Sequence, residues 1–210
     1  MREVTAKLYS FDELPEDVQR RIFEEDQSRY NYAADSYCWE FRNTLDKFAD
    51  CFGIVCRWEV DSSRYNFDFT ISDNETAENL ETITDPVRLA TWVYNNHWWH
   101  IRKGKYYSTP GKWINGEYKY KYRHSRVIFS YDDCPLTGVC FDCDILQAII
   151  DCITYRRAFN TYDDLITTAL NEFFETWRAA LKYAESFEFY AEEAAAQEWE
   201  YTADGRRWRG

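Results

Sequence analysis

The chain has 210 residues, of which 45% are apolar, and its formal charge is −12. That length and apolar content are enough to bury a core in one compact domain. No run of about 18 uncharged apolar residues occurs, which argues against a membrane-spanning helix, and the negative charge makes nucleic acids and anionic membranes poor partners for the whole molecule.

Cysteine usage and the N-terminus bear on location. The seven cysteines are an odd number, scattered through a chain that is long enough to fold without disulfides. We therefore expect free thiols in a reducing compartment. The first residues lack the apolar stretch and the cleavage site of a secretion signal. These features predict a cytoplasmic protein, and the aromatic content of 19% favours one that binds a partner.

The first quarter of the chain predicts a strand and two helices. Residues 3–9 alternate between apolar and polar side chains, which is typical of a strand, and Pro15 marks the first turn of a helix. Asp35 is expected to open a second helix, which Gly53 ends. The apolar residues of that helix recur every three or four positions: Tyr37, Phe41, Leu45, Phe48 and Phe52.

The next segment predicts a hairpin and a third helix. Residues 54–60 and 64–71 read as antiparallel strands because both are rich in aromatic and β-branched residues and only a short polar turn separates them. Thr84 or Asp85 then caps a helix with Pro86 as its first residue.

Residues 103–126 predict a loop followed by a strand. Pro110, Gly111 and Gly116 interrupt the first part, and alternation of tyrosines with cations resumes after them. Further on, residues 144–153 predict an apolar helix.

The last third predicts a long helix and a turn. Thr161 and Asp164 form a capping pattern for a helix that continues, with or without a bend, to about Gln197. An Asp-Gly pair at 204–205 predicts a turn between short extended arms. The predicted fold class is α+β, a small antiparallel sheet packed against several long helices in a single domain over 1–210, with a basic aromatic insertion at about 102–126.

Charge is unevenly distributed along the chain. Residues 97–131 contain eight basic and one acidic side chain, whereas residues 132–205 contain four basic and sixteen acidic ones. The central basic stretch, residues 103–126, also holds six tyrosine or tryptophan residues. We expect the two signs of charge to occupy separate regions of the surface.

The acidic residues near the C-terminus predict a contact surface. The helical spacing begins at Glu185, and Glu188 and Glu192 follow it by three and seven positions. One continuous helix would place all three on one face. Further carboxylates follow: Glu193, Glu198, Glu200 and Asp204. A line of negative charge of this kind suits the cationic groove of a protein that binds DNA or RNA. The alternative is a solvated helix face that has no partner.

The basic stretch predicts a second contact. Its candidate residues are Lys103, Lys105, Lys112, Trp113, Lys119, Tyr120, Lys121 and Arg123. Cations interleaved with aromatic rings suit single-stranded nucleic acid or a signalling nucleotide. They also suit the acidic rim of a protein partner, which would fix the orientation of a complex. The alternative is a strand whose cations pair with the excess carboxylates of the same chain.

Enzymatic and metal sites are less well supported. The chain contains neither a phosphate-binding glycine loop nor the nucleophile and zinc-protease motifs, so we expect a non-enzymatic protein without a cofactor. His97 and His100, together with Cys140 and Cys143, have spacings that suit zinc or a thiol–imidazole pair, and both stay alternatives. A divalent cation is a further alternative, with these candidate ligands: Asp132, Asp133, Asp142 and Asp144.

The two ends of the chain resemble a group of bacteriophage and mobile-element proteins. Residues 9–26 contain the F-D-E-L motif before an acidic helix, and residues 173–205 contain an aromatic, glutamate-rich helix followed by T-A-D-G. The resemblance implies a phage gene product that works in the cytoplasm of a bacterial host. By analogy it implies an inhibitor of host defence of the anti-CRISPR kind. Our leading hypothesis is therefore a non-enzymatic inhibitor of a nucleic-acid-targeting effector, and its rival is a protein that sequesters a signalling nucleotide.

Overall fold

The structure, a computed structural model, describes the backbone of residues 7–26, 28–101, 106–114, 117–124, 135–138 and 141–208. Side chains are described in the same ranges except for residues 28–37, 98–101 and 106–124. Helices dominate this part of the chain and short strands pair two by two, which is the predicted α+β class. Within these ranges no helix is both long enough and apolar enough to cross a bilayer.

The residues group into two compact units, which are described separately. The terminal unit contains residues 1–39, 59–66 and 175–210, and the central unit contains residues 40–58 and 67–174. That residues 1–210 act as a single domain stays a prediction.

The N-terminal elements are strand β1 (Tyr9–Ser10), a 3-10 turn (Phe11–Glu13) and helix α1 (Glu16–Glu25). Of the strand predicted over 3–9, only its last residue is part of β1, and its first residues lie outside the described ranges. Pro15 directly precedes α1 with a φ of −56°, an angle that suits the start of a helix. The predicted position of α1 is confirmed.

Helix α2 (Ser28–Phe52) is followed by the paired strands β2 (Ile54–Val60) and β3 (Tyr65–Ile71). The helix begins seven residues earlier than Asp35, because polar and small residues continue it without the apolar repeat on which the prediction depended. Gly53 ends the helix with a φ of +62°, a conformation that glycine adopts without strain. Both strands confirm the predicted hairpin.

Helix α3 (Asn74–Glu81) was not expected from the sequence, whereas helix α4 (Pro86–Ile101) was. Asp85 caps α4, since its Oδ1 accepts hydrogen bonds of 2.8 and 3.0 Å from the first free backbone N–H groups of that helix. Asp73 caps α3 in a similar way, with Oδ2 2.8 Å from the backbone N of Thr76.

Strands β4 (Tyr106–Ile114) and β5 (Glu117–His124) form an antiparallel hairpin from the basic stretch. The prediction of a loop over the first half of this stretch is wrong. The pairing register shifts between Thr109 and Lys112, and the intervening Pro110 lacks the N–H that regular pairing needs. The irregularity allows the strand to contain Pro110 and Gly111, a residue pair that on its own is typical of a loop.

The C-terminal half contains helices α5 (Asp142–Tyr155), α6 (Tyr162–Ala184) and α7 (Phe187–Ala196), and strand β6 (Glu200–Tyr201). Thr161 caps α6, because its Oγ1 accepts a hydrogen bond of 3.0 Å from the backbone N–H three residues on. β1 pairs with β6 in antiparallel register, so the two ends of the chain meet in the terminal unit.

Each unit has its own buried apolar residues. In the terminal unit one cluster joins both ends of the chain: Phe11, Leu14, Ile22, Tyr190, Ala194 and Tyr201. In the central unit the largest fully buried side chains include Phe41, Phe48, Leu89, Ile145, Ile149, Phe173 and Phe174. Each fully buried side chain of this size stabilises the fold by about 1.5–3 kcal/mol relative to an exposed one.

Candidate functional site

The predicted acidic stripe does not lie on one continuous helix. Helix α6 ends at Ala184, and Ser186 adopts an extended conformation and caps α7, its Oγ accepting a hydrogen bond of 3.2 Å from the backbone N of Phe189. Glu185 therefore lies in the connection between the helices. The prediction that Glu185 shares a helix face with Glu188 and Glu192 is wrong, because a serine N-cap starts a new helix after Glu185.

Two of the predicted carboxylates lie on the exposed side of α7. Glu188 and Glu192 are one helical turn apart and both are exposed. The Tyr183 hydroxyl donates a hydrogen bond of 2.7 Å to Oε2 of Glu192, which holds that carboxylate in place without neutralising it. Glu193 differs, since it is half-buried and its Oε2 is shielded from solvent. Glu188 and Glu192 are therefore the carboxylates of α7 that a partner reaches most readily.

The remaining predicted carboxylates follow α7, in or beside strand β6. Glu198 and Glu200 are both exposed. Asp204 is exposed too, but its Oδ2 is 3.3 Å from Nε of Arg206, and the Thr202 hydroxyl donates a 2.5 Å hydrogen bond to its Oδ1. The hydrogen bond from Thr202 lowers the pKa of Asp204 below its ordinary value. Asp204 is thus the one of these three whose charge is partly balanced locally.

A groove of about 750 Å³ lies where the N-terminal segment meets the end of α7. We call it the acidic groove. Its half-buried or buried residues form an apolar floor: Leu8, Tyr9, Ala194 and Trp199. Its exposed carboxylates form the rim: Asp12, Glu13, Glu198 and Glu200. Ser10 and Ala195 complete the lining.

The two ends of the chain build this groove through backbone pairing and packing. Tyr9 is the register partner of Tyr201, and Ser10 is the partner of Glu200. The backbone N–H of Ser10 donates a hydrogen bond of 3.0 Å to Oε2 of Glu13, which fixes the 3-10 turn. Phe11 anchors that turn, with its ring 5.8 Å from the ring of Tyr201. Rim residues from both ends therefore stand on a fixed backbone.

The ion pairs of the terminal unit leave the groove rim negative. They link near neighbours in sequence: Arg20 with Glu16, Arg64 with Asp61, Arg178 with Glu175, and Arg206 with Asp204. None of the four rim carboxylates forms an ion pair with a described residue. Direct ion pairs within the described part of the chain therefore do not neutralise the rim.

Two cations of the chain lie over the aromatic rings of the groove floor. Nζ of Lys7 is 4.7 Å from the ring centroid of Tyr9, and the guanidinium carbon of Arg207 is 3.7 Å from that of Trp199. Both distances are within the range of cation–π attraction. Each of these two rings therefore already has a cation of the same chain as a partner.

A second cleft of the terminal unit has no preferred charge. Its volume is about 590 Å³, and three arginines and three carboxylates line it: Arg21, Arg206, Arg207, Glu25, Asp26 and Asp204. Desolvation raises the pKa of Tyr190, another lining residue, and the hydroxyl of Tyr190 donates to Asp26. Arg21 donates a hydrogen bond of 2.7 Å to the carbonyl oxygen of Asp204. These contacts join chain segments to one another.

The basic aromatic candidates lie on the β4–β5 hairpin or outside the described residues. Lys103 and Lys105 are outside. The others are strand residues: Lys112 and Trp113 on β4, and Lys119, Tyr120, Lys121 and Arg123 on β5. The register pairs Lys112 with Lys119. That this stretch contacts a partner stays a prediction.

The histidine and cysteine candidates are only partly described. His97 is 7% exposed, its Nδ1 is 3.1 Å from the carbonyl oxygen of Cys51, and its ring stacks on Phe52 at 4.6 Å. Cys143 is half-buried. The side chains of His100 and Cys140 lie outside the described ranges. Within those ranges no group of three histidine, cysteine or acidic side chains is arranged to hold a metal ion.

Asp142 has a structural role that does not fit a metal ligand. It is fully buried, and its Oδ2 accepts hydrogen bonds of 2.8 and 2.6 Å from the backbone N–H groups of Leu136 and Thr137. Its Oδ1 accepts from the hydroxyls of Thr137 and Thr44, at 2.7 and 3.1 Å. Both oxygens therefore face donors, which are the wrong partners for a cation. Asp132 and Asp133 lie outside the described residues.

Two of the four rim carboxylates of the groove are among the residues predicted from the sequence. Glu198 and Glu200 belong to the predicted acidic surface, but Asp12, Glu13, Tyr9 and Trp199 do not. The F-D-E-L motif contains both missed carboxylates, yet no local spacing links residues 12–13 to residues 198–200. Only the pairing of β1 with β6 brings them together.

Comparison of this chain with protein-family models, with curated proteins and with solved structures finds no match. The resemblance of its two ends to bacteriophage proteins thus stays a prediction from the sequence.

Proposed function

We propose that this protein is a phage-encoded, non-enzymatic inhibitor of a host defence effector that targets nucleic acids, as anti-CRISPR proteins are. It acts in the bacterial cytoplasm and occupies the cationic nucleic-acid groove of the effector with its acidic surface. One observation carries the proposal: Glu188, Glu192, Glu198 and Glu200 are exposed in the same unit, and none forms an ion pair with a described residue.

The spacing of these charges supports imitation of a nucleic acid. Residues one helical turn apart, such as Glu188 and Glu192, have Cβ atoms roughly 5–6 Å from each other. DNA presents a phosphate about every 3.4 Å along each strand, so the protein offers a similar but thinner line of charge. Like charges at this spacing cost a few tenths of a kcal/mol per pair, and a cationic partner removes that cost.

The test uses a panel of purified RNA-guided nucleases from several types. Each nuclease is incubated with the protein before labelled target DNA is added, and cleavage is followed over time. We expect inhibition of at least one nuclease, and we expect it to weaken strongly between about 50 and about 200 mM salt because charge pairs dominate the contact. Failure to inhibit or bind any member of a broad panel would count against the proposal.

A matched pair of variants separates surface specificity from net charge. E188Q/E192Q/E200Q removes three charges from the proposed surface, and E75Q/E78Q/E81Q removes three from α3 in the central unit. All six residues are exposed. We expect the first variant to inhibit about tenfold less well, whereas the second differs from the parent by less than about twofold. Equal losses would point to net charge alone.

A second function is favoured by the β4–β5 hairpin. Lys119, Lys121 and Arg123 are alternate residues of β5, and Lys112 is paired with Lys119 across the hairpin. A paired strand that repeats cations in this way suits the phosphates of a signalling nucleotide. Thermal unfolding with a set of cyclic and adenine nucleotides tests it, since a ligand at about 100 times its Kd adds about 2.7 kcal/mol of stability. Unchanged unfolding with every nucleotide would remove this candidate.

A further inference from the structure

We propose that the acidic groove binds an extended, arginine-bearing segment of the partner protein. This inference rests on the proposed function and specifies the chemistry of the partner. It assigns the groove formed by the two chain ends as the place where a partner side chain enters, in addition to the charged face of α7.

The two layers of the groove match the two parts of an arginine side chain. The aliphatic stem of an arginine covers apolar surface, here that of Tyr9, Ala194 and Trp199, while its guanidinium stays near polar groups. The rim supplies carboxylates on both sides, with Asp12 and Glu13 from one end of the chain and Glu198 and Glu200 from the other. A planar guanidinium with several N–H donors forms charge-assisted hydrogen bonds with such carboxylates.

Two cations of the same chain contact the floor and offset part of the negative charge of the rim. Both aromatic rings of the floor already have a cation of the same chain above them, Lys7 over Tyr9 and Arg207 over Trp199. The second pair is close, with the guanidinium carbon 3.7 Å from the ring centroid. The rim has four carboxylates and these contacts bring two cations, so the balance of charge at the groove stays negative.

Charge complementarity selects a basic peptide over other occupants. A nucleic acid or an acidic segment would bring negative charge against the rim carboxylates, and an apolar helix would leave those carboxylates without partners. A basic segment satisfies the rim and covers the floor. It is also the kind of segment that a nucleic-acid-binding effector carries on its surface.

The test measures fluorescence anisotropy with the full-length protein. The probe is a short fluorescein-labelled peptide in which arginine alternates with glycine or serine, and its control has citrulline in place of every arginine. Citrulline keeps the shape of the side chain and removes its charge. We expect saturable binding of the arginine peptide and no binding of the citrulline peptide. Equal binding of both peptides would overturn the proposal, because it would show contact with the apolar floor alone.

Two double variants with the same change in charge locate the site. E198Q/E200Q alters the rim, whereas E75Q/E78Q alters exposed carboxylates of α3, outside the groove and outside the proposed inhibitory surface. We expect the rim variant to bind the peptide about fivefold more weakly and the α3 variant to change by less than about twofold. Equal weakening by both variants would show general attraction to an acidic protein and would also overturn the proposal. Thermal unfolding of each variant checks that the fold is intact.

The outcomes separate this inference from the function on which it rests. If a nuclease is inhibited and the rim variant binds the peptide as the parent does, the groove assignment is wrong and the inhibitor function stands. If the peptide binds the rim and no nuclease is inhibited, the groove assignment stands and the inhibitor function is wrong.

Discussion

The hydroxyl of Tyr190 donates a hydrogen bond of 2.9 Å to Oδ2 of Asp26, although 164 positions separate the two residues in sequence. Asp26 is the C-cap of α1 and Tyr190 belongs to α7, so the bond joins the N-terminal and C-terminal helices of the terminal unit. The acidic groove is built from residues of the same two ends. Its geometry therefore depends on contacts such as this one.

Removal of this hydroxyl should destabilise the fold. Y190F keeps the ring, which packs 5.4 Å from Phe11, and leaves the Asp26 carboxylate without that donor. We expect the free energy of unfolding to fall by about 1–2 kcal/mol, since the bond is partly buried and its acceptor is an acidic side chain. Urea unfolding measures the change.

Y183F is the control, because the Tyr183 hydroxyl also donates to a carboxylate, that of Glu192, but the residue is 40% exposed. Its loss should cost about 0.5 kcal/mol or less, since water replaces an exposed donor. Equal losses in the two variants would contradict the role of the Tyr190 bond in joining the chain ends.

Substitution of Gly205 tests the close approach of the final turn to α1. Gly205 has a φ of +84°, and a Cβ there would lie 2.9 Å from Cγ1 of Val18 and 3.1 Å from two atoms of Ile22. We expect G205A to destabilise the protein by about 2–4 kcal/mol, through backbone strain and overpacking together. Chemical denaturation measures this loss.

G138A supplies a matched control, because Gly138 has a φ of +88° and a Cβ there meets no described atom within 4 Å. Strain alone should cost it about 1–2 kcal/mol. A G205A variant no less stable than G138A would show that the final turn does not pack against α1 as described.

Asp142 should be essential for the central unit. D142N would replace one acceptor oxygen with an NH₂ group, which would then face the N–H and O–H donors of Thr137 and its neighbours. We expect a loss of about 2–4 kcal/mol, because buried donors are left without acceptors. D144N is the comparison, since Asp144 is half-buried and desolvation raises the pKa of its carboxyl. It should be neutral or slightly stabilising at pH 7, and a D142N variant as stable as D144N would be contrary to this account.

The pH dependence of stability should include a contribution from Glu172. Its pKa lies above the ordinary value of 4.5, mainly through desolvation and then through the charges of Asp151 and Asp144. The folded state therefore favours the protonated form, and stability is lost as the pH rises from below 4.5 through the folded pKa. E172Q should raise the Tm at pH 7, on the order of 1 °C.

The gain from E172Q should vanish below about pH 4, where the parent carboxyl is protonated in both states. Thermal unfolding at several pH values measures this profile. A gain that is the same at pH 7 and at pH 3.5 would refute the electrostatic explanation.

Much of the fold follows from local patterns in the sequence. The alternation in residues 54–60 and 64–71 predicts β2 and β3, and Asp85 before Pro86 predicts the start of α4, because these signals depend only on neighbouring residues. Helix α3 has no such apolar repeat, since one buried leucine, Leu80, anchors it, and it was missed. Strand β4 was missed because it contains the Pro110–Gly111 pair, which is typical of a loop but here lies at an irregularity of the strand.

The candidate site depends on information that no local pattern contains. Ser186 starts a new helix and so breaks the spacing that predicts a shared face for Glu185 and Glu188. Serine is a common N-cap, so this break has a signal in the sequence. Asp12 and Glu198 come together only through the pairing of the two chain ends, which is a property of the folded terminal unit. Residue types could therefore be predicted at the acidic surface, and their grouping into a groove could not.

The central claim is that the protein and a nucleic acid compete for one cationic site, and an equilibrium competition experiment tests it most directly. The fluorescently labelled protein is titrated with an inhibited nuclease at several concentrations of unlabelled target DNA. We predict that the apparent Kd for the protein rises in proportion to the DNA concentration, so that no complex contains both. A complex of nuclease, DNA and this protein, with an apparent Kd that does not depend on the DNA concentration, would contradict the claim.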